Sequence, residues 1–226
     1  MRETGKSMLR RLHDQRFAAR YFVGRGIDIG AGNDPVSLYA EFFPGLRECR
    51  GWDMPDGDAQ LLAGVEDSSL DFVHSSHCLE HMRDPFEAMR NWFRVLKPGG
   101  HLICLVPDED LYEQGVFPSG FNADHKWTFT LWKGNSWSEK SISVLELVTR
   151  LGPACQPVKL ELLDGSFRYR FPRFDQTTTP IGECAIELVL RKRPELEVTS
   201  GGRLPPPGRI TREGYEMLTG MPAGPR

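Results

Sequence analysis

The stretch Gly26-Ile27-Asp28-Ile29-Gly30-Ala31-Gly32-Asn33-Asp34-Pro35 constrains this chain more than any other. Ile27 to Ile29 is apolar, β-branched and too short for a helix, which fits a buried strand. Gly30 and Gly32, one residue apart, let the backbone turn sharply and bring its N–H groups close to a ligand. Asp34 and Pro35 then read as the cap and first residue of a short helix running to Phe43, because proline suits a position whose N–H has no partner inside the helix. A dinucleotide-binding fingerprint needs a third glycine where Pro35 stands, so the spacing alone does not identify a ligand.

The flanking pattern extends that unit. Cys49 to Trp52 reads as a second strand ending at Asp53, twenty-one residues after Gly32. Strand, helix and strand make the βαβ unit of an open parallel sheet, whose ligands bind outside the carboxyl ends of the strands. Leu70 to Ser75 is a further strand. Asp84-Pro85 opens a helix with Phe86, Met89, Phe93 and Leu96 on one face, and Lys97-Pro98-Gly99-Gly100 stops it before a strand from His101 to Val106. Ser141 to Leu151 is expected as a helix, and Val158 to Leu163 and Glu183 to Leu190 as a closing antiparallel pair. The fold expected is α/β, a Rossmann-like open twisted sheet, mostly parallel with an antiparallel last strand and helices on both faces.

The domain expected spans residues 1–193. Within it, residues 1–25 hold an amphipathic helix over 7–22, with Met8, Leu12, Ala19 and Phe22 near one face, lying over the edge of the fold. Residues 108–140 form an aperiodic, pocket-shaping insertion. Residues 194–226, rich in proline, glycine and charge, read as a flexible tail.

A formal net charge of -3 over 226 residues argues against a broad nucleic-acid surface. The exception is the N-terminus, where Arg2, Lys6, Arg10, Arg11, Arg16, Arg20 and Arg25 face only Glu3 and Asp14. This reads as a solvated helix face, or as loose attraction to an anionic partner or membrane surface. Five cysteines, widely spaced and without C-x-x-C, suggest reduced thiols and no zinc knuckle. With no apolar stretch of signal or membrane-span length, a cytoplasmic protein without stable membrane insertion is expected.

Three stretches resemble the class I S-adenosylmethionine-dependent methyltransferases, in the branch often called the methyltransferase-11 type. They are Asp28-Ile29-Gly30-Ala31-Gly32; Gly57-Asp58-Ala59; and Ser75-Ser76-His77-Cys78-Leu79-Glu80-His81-Met82-Arg83-Asp84-Pro85 with Arg94-Val95-Leu96-Lys97-Pro98-Gly99-Gly100. The resemblance covers residues 26 to 107. It implies S-adenosylmethionine as cofactor, with Asp28, Gly30, Ala31 and Gly32 around its methionine part and Asp53 on the ribose hydroxyls. Asp58 and Ala59 would meet the adenine, and Ser76 and His77 would border the ligand. Only four residues separate Asp53 from Asp58, where the family usually has a helix and a third strand. The sheet should therefore be trimmed at the third strand, and Asp58 either reaches adenine from a tight loop or is a turn residue.

The acceptor side is read from the insertion. Asn122, Asp124, His125 and Trp127 combine hydrogen bonding with a stacking surface, which suits a sugar or glycan-related hydroxyl. His125 is the candidate general base, with Asp124 beside it to orient the ring, and His81, Asn122 and Trp127 are candidate acceptor-binding residues. A natural-product scaffold or quinone-like lipid is the alternative small-molecule acceptor. His77 and His81, four apart, also raise a metal-dependent hydrolase, but a further ligand at suitable spacing is not evident, so no metal is expected. A non-catalytic module that keeps the fold is the remaining rival.

Overall fold

A computed structural model describes residues 3–202 of the chain. They fall into two units, Met1–Arg193 and Pro194–Arg226. The first begins with α1 (Glu3–Arg11) and a π-helical turn at Phe17–Tyr21, followed by β1 (Gly24–Ile29), a 3-10 segment at Val36–Phe42 and β2 (Leu46–Trp52). Next come β3 (Leu70–Ser76), α2 (Pro85–Arg94) and β4 (Leu96–Pro107). The insertion holds β5 (Thr128–Thr130) and β6 (Ser141–Ser143), and α3 (Val144–Arg150), β7 (Cys155–Leu163) and β8 (Ala185–Lys192) complete the unit. The second unit has α4 (Glu195–Thr199); the flexible tail expected for residues 194–226 otherwise lies outside the described residues.

The main sheet has the order β2-β1-β3-β4-β8-β7. β1 to β4 pair in parallel, and β8 runs antiparallel to both of its neighbours. No strand forms between β2 and β3, so the sheet is trimmed where the short Asp53 to Asp58 interval predicts it. β4 alternates between two apolar layers. Leu102, Cys104 and Val106 of β4 pack with Met89 and Trp92 of α2 and Leu147 of α3, while Ile103 faces Met8, Phe17 and Phe22 on the opposite side. Asp84 caps α2 as its sequence position predicts, its side chain accepting from the N–H groups of Phe86 and Glu87.

Several local expectations are corrected. After the glycine turn, Pro35 is itself extended, the following turn is 3-10 rather than α-helical, and the Asp34 side chain caps nothing there. Asp34 instead accepts from the Gly5 N–H (2.9 Å) and the Tyr39 hydroxyl (2.6 Å), which ties α1 to the turn. Ser141 to Ser143 pairs as β6 with β5 before α3 begins, because Ile142 is needed in the core beside Phe129. The single helix expected over 7–22 is broken at residues 12–14, where the chain turns so that both Met8 and Phe17 reach the same apolar layer. All five cysteines are free, and burial pushes the Cys78, Cys155 and Cys184 thiols up to about 12.

The largest correction concerns the basic N-terminus. Lys6, Arg10 and Arg11 form neither a solvated face nor a surface for an anionic partner. Lys6 donates to the Thr177 carbonyl (2.6 Å), Arg10 bridges Glu183 and Glu187, and the fully buried Arg11 donates to Glu187 (3.1 Å) and to His74 Nε2 (3.1 Å). A guanidinium can only donate, so His74 Nε2 accepts and its Nδ1–H donates to Asp28 Oδ1 (2.6 Å). These contacts lock α1 across the carboxyl ends of the strands, from the β1 turn to the approach to β8.

Candidate active site

The carboxyl ends of three adjacent parallel strands define one crevice. Register pairs Ile29 with Trp52 and with Ser75, so Gly30, Asp53 and Ser76 emerge side by side. Gly30 and Gly32 both adopt left-handed backbone, φ +71° and +52°. At Gly30 a Cβ would lie 2.7 Å from Cys78 Sγ, whereas at Gly32 it would meet no atom within 4 Å. The space in front of Gly32 is thus a cradle that any side chain would fill. The Gly32 N–H points to the Asp53 carboxylate, 3.1 and 3.3 Å from its two oxygens. Ser76 contributes a solvent-shielded hydroxyl with no hydrogen-bond partner. Open space before Gly32, an acid at the end of β2 and an orphaned hydroxyl at the end of β3 fit a ligand carrying a diol and further polar groups.

The other expected cofactor residues differ in their commitments. Asp28 is buried, with Oδ1 on His74 and Oδ2 accepting from the Val36 N–H (2.8 Å), so its carboxylate holds the turn from behind. Ala31 is half-buried within the turn, its carbonyl accepting from the Asp34 N–H. Asp58 closes a turn through the Gln60 N–H (2.8 Å) and pairs with Arg83 (2.7 Å), which holds its carboxyl below the usual range. Ala59 packs against the core and its carbonyl accepts from the Trp92 indole (2.8 Å).

Beside the crevice lies a cavity of about 280 Å³ lined by Glu3, His77, Glu80, His81, Tyr112, Phe121, Asn122, His125, Asp175 and Thr177. Four segments distant in sequence therefore meet: α1, the turn after β3, the insertion and the approach to β8. His77 sits at φ +53°, a costly backbone for a non-glycine residue and typical of functional turns. Glu80 is fully buried and neither carboxylate oxygen has a hydrogen-bond partner. His77 Nδ1, His125 Nε2 and His81 Nε2 stand 3.6, 3.8 and 4.0 Å from Glu80 Oε1. Burial alone would raise the Glu80 pKa, but the three imidazoles outweigh it and the net direction is down. Burial likewise opposes the charged form of His77, and the Glu80 and Glu3 carboxylates overcome it to give a raised pKa.

The cavity brings together some of the residues expected on the acceptor side and not others. Asn122, His81 and His125 line the cavity, but Trp127 does not; its indole donates to the Met82 carbonyl (3.0 Å) and its ring packs on the core. Asp124 does not orient His125. It is exposed and pairs with His81 Nδ1 (3.1 Å), because the turn at residues 122–125 sends adjacent side chains to opposite sides. The partner of His125 is the buried Glu113, 2.7 Å from Nδ1, which also accepts from the Ser119 hydroxyl (2.5 Å). Glu80 was visible within the Leu79-Glu80-His81 motif, where burial of an acid beside two histidines was the missing cue. Glu113 and Glu3 carry no local signal, since only the tertiary fold brings them to the cavity.

A family model described as a methyltransferase domain matches residues 1–145. A curated relative, an uncharacterized 37.1 kDa protein in transposon TN4556 of Streptomyces fradiae, is 41% identical over 54 residues, which are 24% of this chain and span only 15% of that protein. Among solved structures, an S-adenosylmethionine-dependent methyltransferase from Archaeoglobus fulgidus aligns over 85% of this chain and 95% of its own, with a TM-score of 0.56 at 19% identity. One from Mesorhizobium loti aligns over 84% and 100%, with a TM-score of 0.55 at 15% identity. A chain from the complex between the Haloferax volcanii Trm112 methyltransferase activator and a methyltransferase aligns over 85% and 94%, with a TM-score of 0.55 at 18% identity. At these identities the structural likeness is one of fold. Among the described residues no helix is long and apolar enough to cross a membrane.

Proposed function

The chain belongs to the methyltransferase-domain family, and from that premise we propose that it uses S-adenosylmethionine to methylate a hydroxyl of a sugar or glycan-related acceptor bound in the cavity beside the strand ends. The observation that carries the acceptor class is the size and lining of that cavity. About 280 Å³ has room for a single ring, while imidazole, carboxylate, amide and hydroxyl groups dominate its walls and the flat faces of Tyr112 and Phe121 supply the apolar surface. A quinone-like lipid or a polycyclic natural product asks for a longer, more apolar pocket.

When bound, S-adenosylmethionine supplies an electrophilic methyl group on a sulfonium. The chain's own contribution is mainly placement and exclusion of water. The open space before Gly32 lets a ligand approach the turn closely, Asp53 offers acceptors for a diol, and Ser76 and His77 stand at the boundary between crevice and cavity. We assign the region around Gly57 and Asp58 to the adenine side, with Ala59 as packing beneath it. An acceptor hydroxyl must lose its proton as the new bond forms, and the groups placed to receive it are the ring nitrogens and carboxylate of Glu80, His81 and His125. Glu113, in place of the expected Asp124, holds the His125 ring.

The test is incubation of the full chain with isotope-labelled S-adenosylmethionine and a panel of free sugars, nucleotide sugars and oligosaccharides, read by mass. Addition of one labelled methyl to an oxygen of one of these compounds is expected. Methylation confined to a parallel panel of quinols and polyketides would overturn the acceptor class, and failure to bind S-adenosylhomocysteine would overturn the activity.

A further inference from the structure

We propose that Glu80, His81 and His125 bind one divalent transition-metal cation of the zinc type in the wall of the acceptor cavity. A carboxylate buried to zero exposure with both oxygens unpartnered is costly to leave uncompensated. Its nearest cationic candidates do not compensate it by hydrogen bonding. Imidazolium rings drawn to this carboxylate would close to about 2.7–2.9 Å, and the nitrogens of His77, His125 and His81 stand at 3.6, 3.8 and 4.0 Å instead. That spacing suits a shared ion. One ligand atom from each of Glu80, His81 and His125 lies within 4.8 Å of the others, and donors about 2.1 Å from a tetrahedral ion sit about 3.4 Å apart. Each histidine nitrogen needs to approach Glu80 by roughly half an ångström, and the two rings to turn their Nε2 atoms to the same spacing, to complete the site.

The surroundings of the two rings point the same way. A metal-ligating histidine donates its second ring N–H to a carboxylate or carbonyl, which fixes the tautomer and aims the free nitrogen at the ion. Both rings have that support: His125 Nδ1 meets Glu113 Oε1 at 2.7 Å, and His81 Nδ1 meets Asp124 Oδ2 and the Asp124 carbonyl, each at 3.1 Å. In each case Nε2 is the atom left facing Glu80. Glu113 is itself held by Ser119 at 2.5 Å, so the support extends one shell further. Two imidazoles and one carboxylate form a donor set that favours zinc, cobalt, iron or manganese over magnesium, and they leave coordination positions open. Those positions face the cavity beside Asn122, where an acceptor hydroxyl or a water would bind and become more acidic. This role rests on the acceptor reading above and makes His125 a ligand in place of a free base; the binding itself does not rest on that reading.

The test uses the full chain stripped by a chelator and dialysed, titrated calorimetrically with zinc chloride and followed by visible absorption with cobalt(II). One equivalent per chain is expected, with magnesium chloride giving no heat and leaving zinc uptake unchanged. Glu80→Gln and His81→Ala should weaken binding about 100-fold or more, and Glu113→Gln about 10- to 100-fold. S-adenosylhomocysteine binding, measured in parallel, reports whether each variant is folded. If Glu80→Gln does not fold, His81→Ala, whose ring is 24% exposed, carries the comparison. No stoichiometric uptake of zinc or cobalt by the parent chain, or equal uptake by His81→Ala, overturns the proposal. Stoichiometric zinc with no sugar methylation upholds the site and fails the acceptor reading. Undiminished sugar methylation by a chelated chain that takes up no metal does the reverse.

Discussion

Replacing Glu187 by glutamine tests the buried charge network that fastens α1 to the sheet. Glu187 is fully buried in the middle of β8 and receives Arg10, Arg11 and Lys159. Burial alone would raise its pKa, but the three cations, Arg11 foremost, bring it from 4.5 down to about 2. That shift of roughly 2.5 units corresponds to about 3 kcal/mol favouring the ionised form in the folded state. On the other side of the pair, burial lowers the Arg11 pKa despite Glu187, so the desolvation cost of the network falls on the guanidinium.

In Glu187→Gln, Arg10 keeps Glu183 and Lys159 keeps Glu161, but Arg11 loses the carboxylate it pairs with among the described residues while fully enclosed. An uncompensated buried charge of this kind costs about 3–5 kcal/mol. For a domain of this size that is a melting temperature lower by roughly 6–20 °C. Urea denaturation and thermal melting at pH 7 measure it. Because the folded pKa of Glu187 is depressed, its contribution is complete above pH 4.5 and drains away as pH falls towards 2. The parent chain should therefore lose about 3 kcal/mol over that window, and the variant should lack this component. The double variant Arg11→Met with Glu187→Leu should recover much of the loss, since apolar replacement removes the desolvation along with the pairing. A Glu187→Gln chain within 1 kcal/mol of the parent, with the same acid limb, would refute the reasoning.

Three further outcomes are expected. Asp53→Ala should weaken S-adenosylhomocysteine binding by about 1–3 kcal/mol in calorimetry while costing the melt little, because the half-exposed carboxylate otherwise holds only local backbone, the Gly32 N–H and the start of the short turn at Met54–Asp56. Burial pushes the Asp108 carboxyl up to about 6 against the N–H groups of Asp110 and Leu111, so the parent chain should gain stability from this group as pH falls from 7 towards 4, and Asp108→Asn should be the more stable form at pH 7.5. Gly32→Ala should fold at a cost of about 1–2 kcal/mol for its left-handed backbone, yet lose at least about 10-fold in cofactor affinity because its methyl enters the cradle, whereas Gly30→Ala should destabilise the fold itself by driving Cβ into Cys78.

The parts of this molecule that were legible in the sequence are those fixed by local chemistry. The alternation of strands and helices, the Asp84 cap and the antiparallel β8 follow from local patterns of a few residues, and the trimmed sheet from setting the short Asp53 to Asp58 interval against the methyltransferase pattern that the chain resembles. The glycine turn and Asp53 share a crevice because parallel strands end at one edge, a rule that needs no knowledge of packing. Where tertiary contacts compete with local preference, the reading fails. Asp34-Pro35 has the composition of a helix start, but Asp34 finds better partners in Tyr39 and Gly5, and the turn tightens to 3-10. Arg10 and Arg11 have the composition of a solvated face because their partners, Glu183 and Glu187, lie more than 170 residues away, whereas Arg16, Arg20 and Arg25 are exposed as that reading expects.

The acceptor cavity shows the same division from the functional side. Sequence proximity gave His125 the neighbour Asp124 as its orienting acid, yet adjacent side chains in a turn diverge, and each histidine of the cavity is held by an acid from another segment or from the far side of that turn. His81 and His125, forty-four residues apart, come to lie with ring centroids 5.0 Å from each other only because the insertion folds back over the turn after β3. The acids follow suit: Glu113 arrives from the start of the insertion and Glu3 from α1, which is why locking α1 through Glu187 and shaping the cavity are linked consequences of one arrangement. Loosening that lock should therefore be felt at His77, which stands between Glu3 and Glu80, so the Glu187→Gln chain is expected to lose acceptor turnover well before it loses its fold.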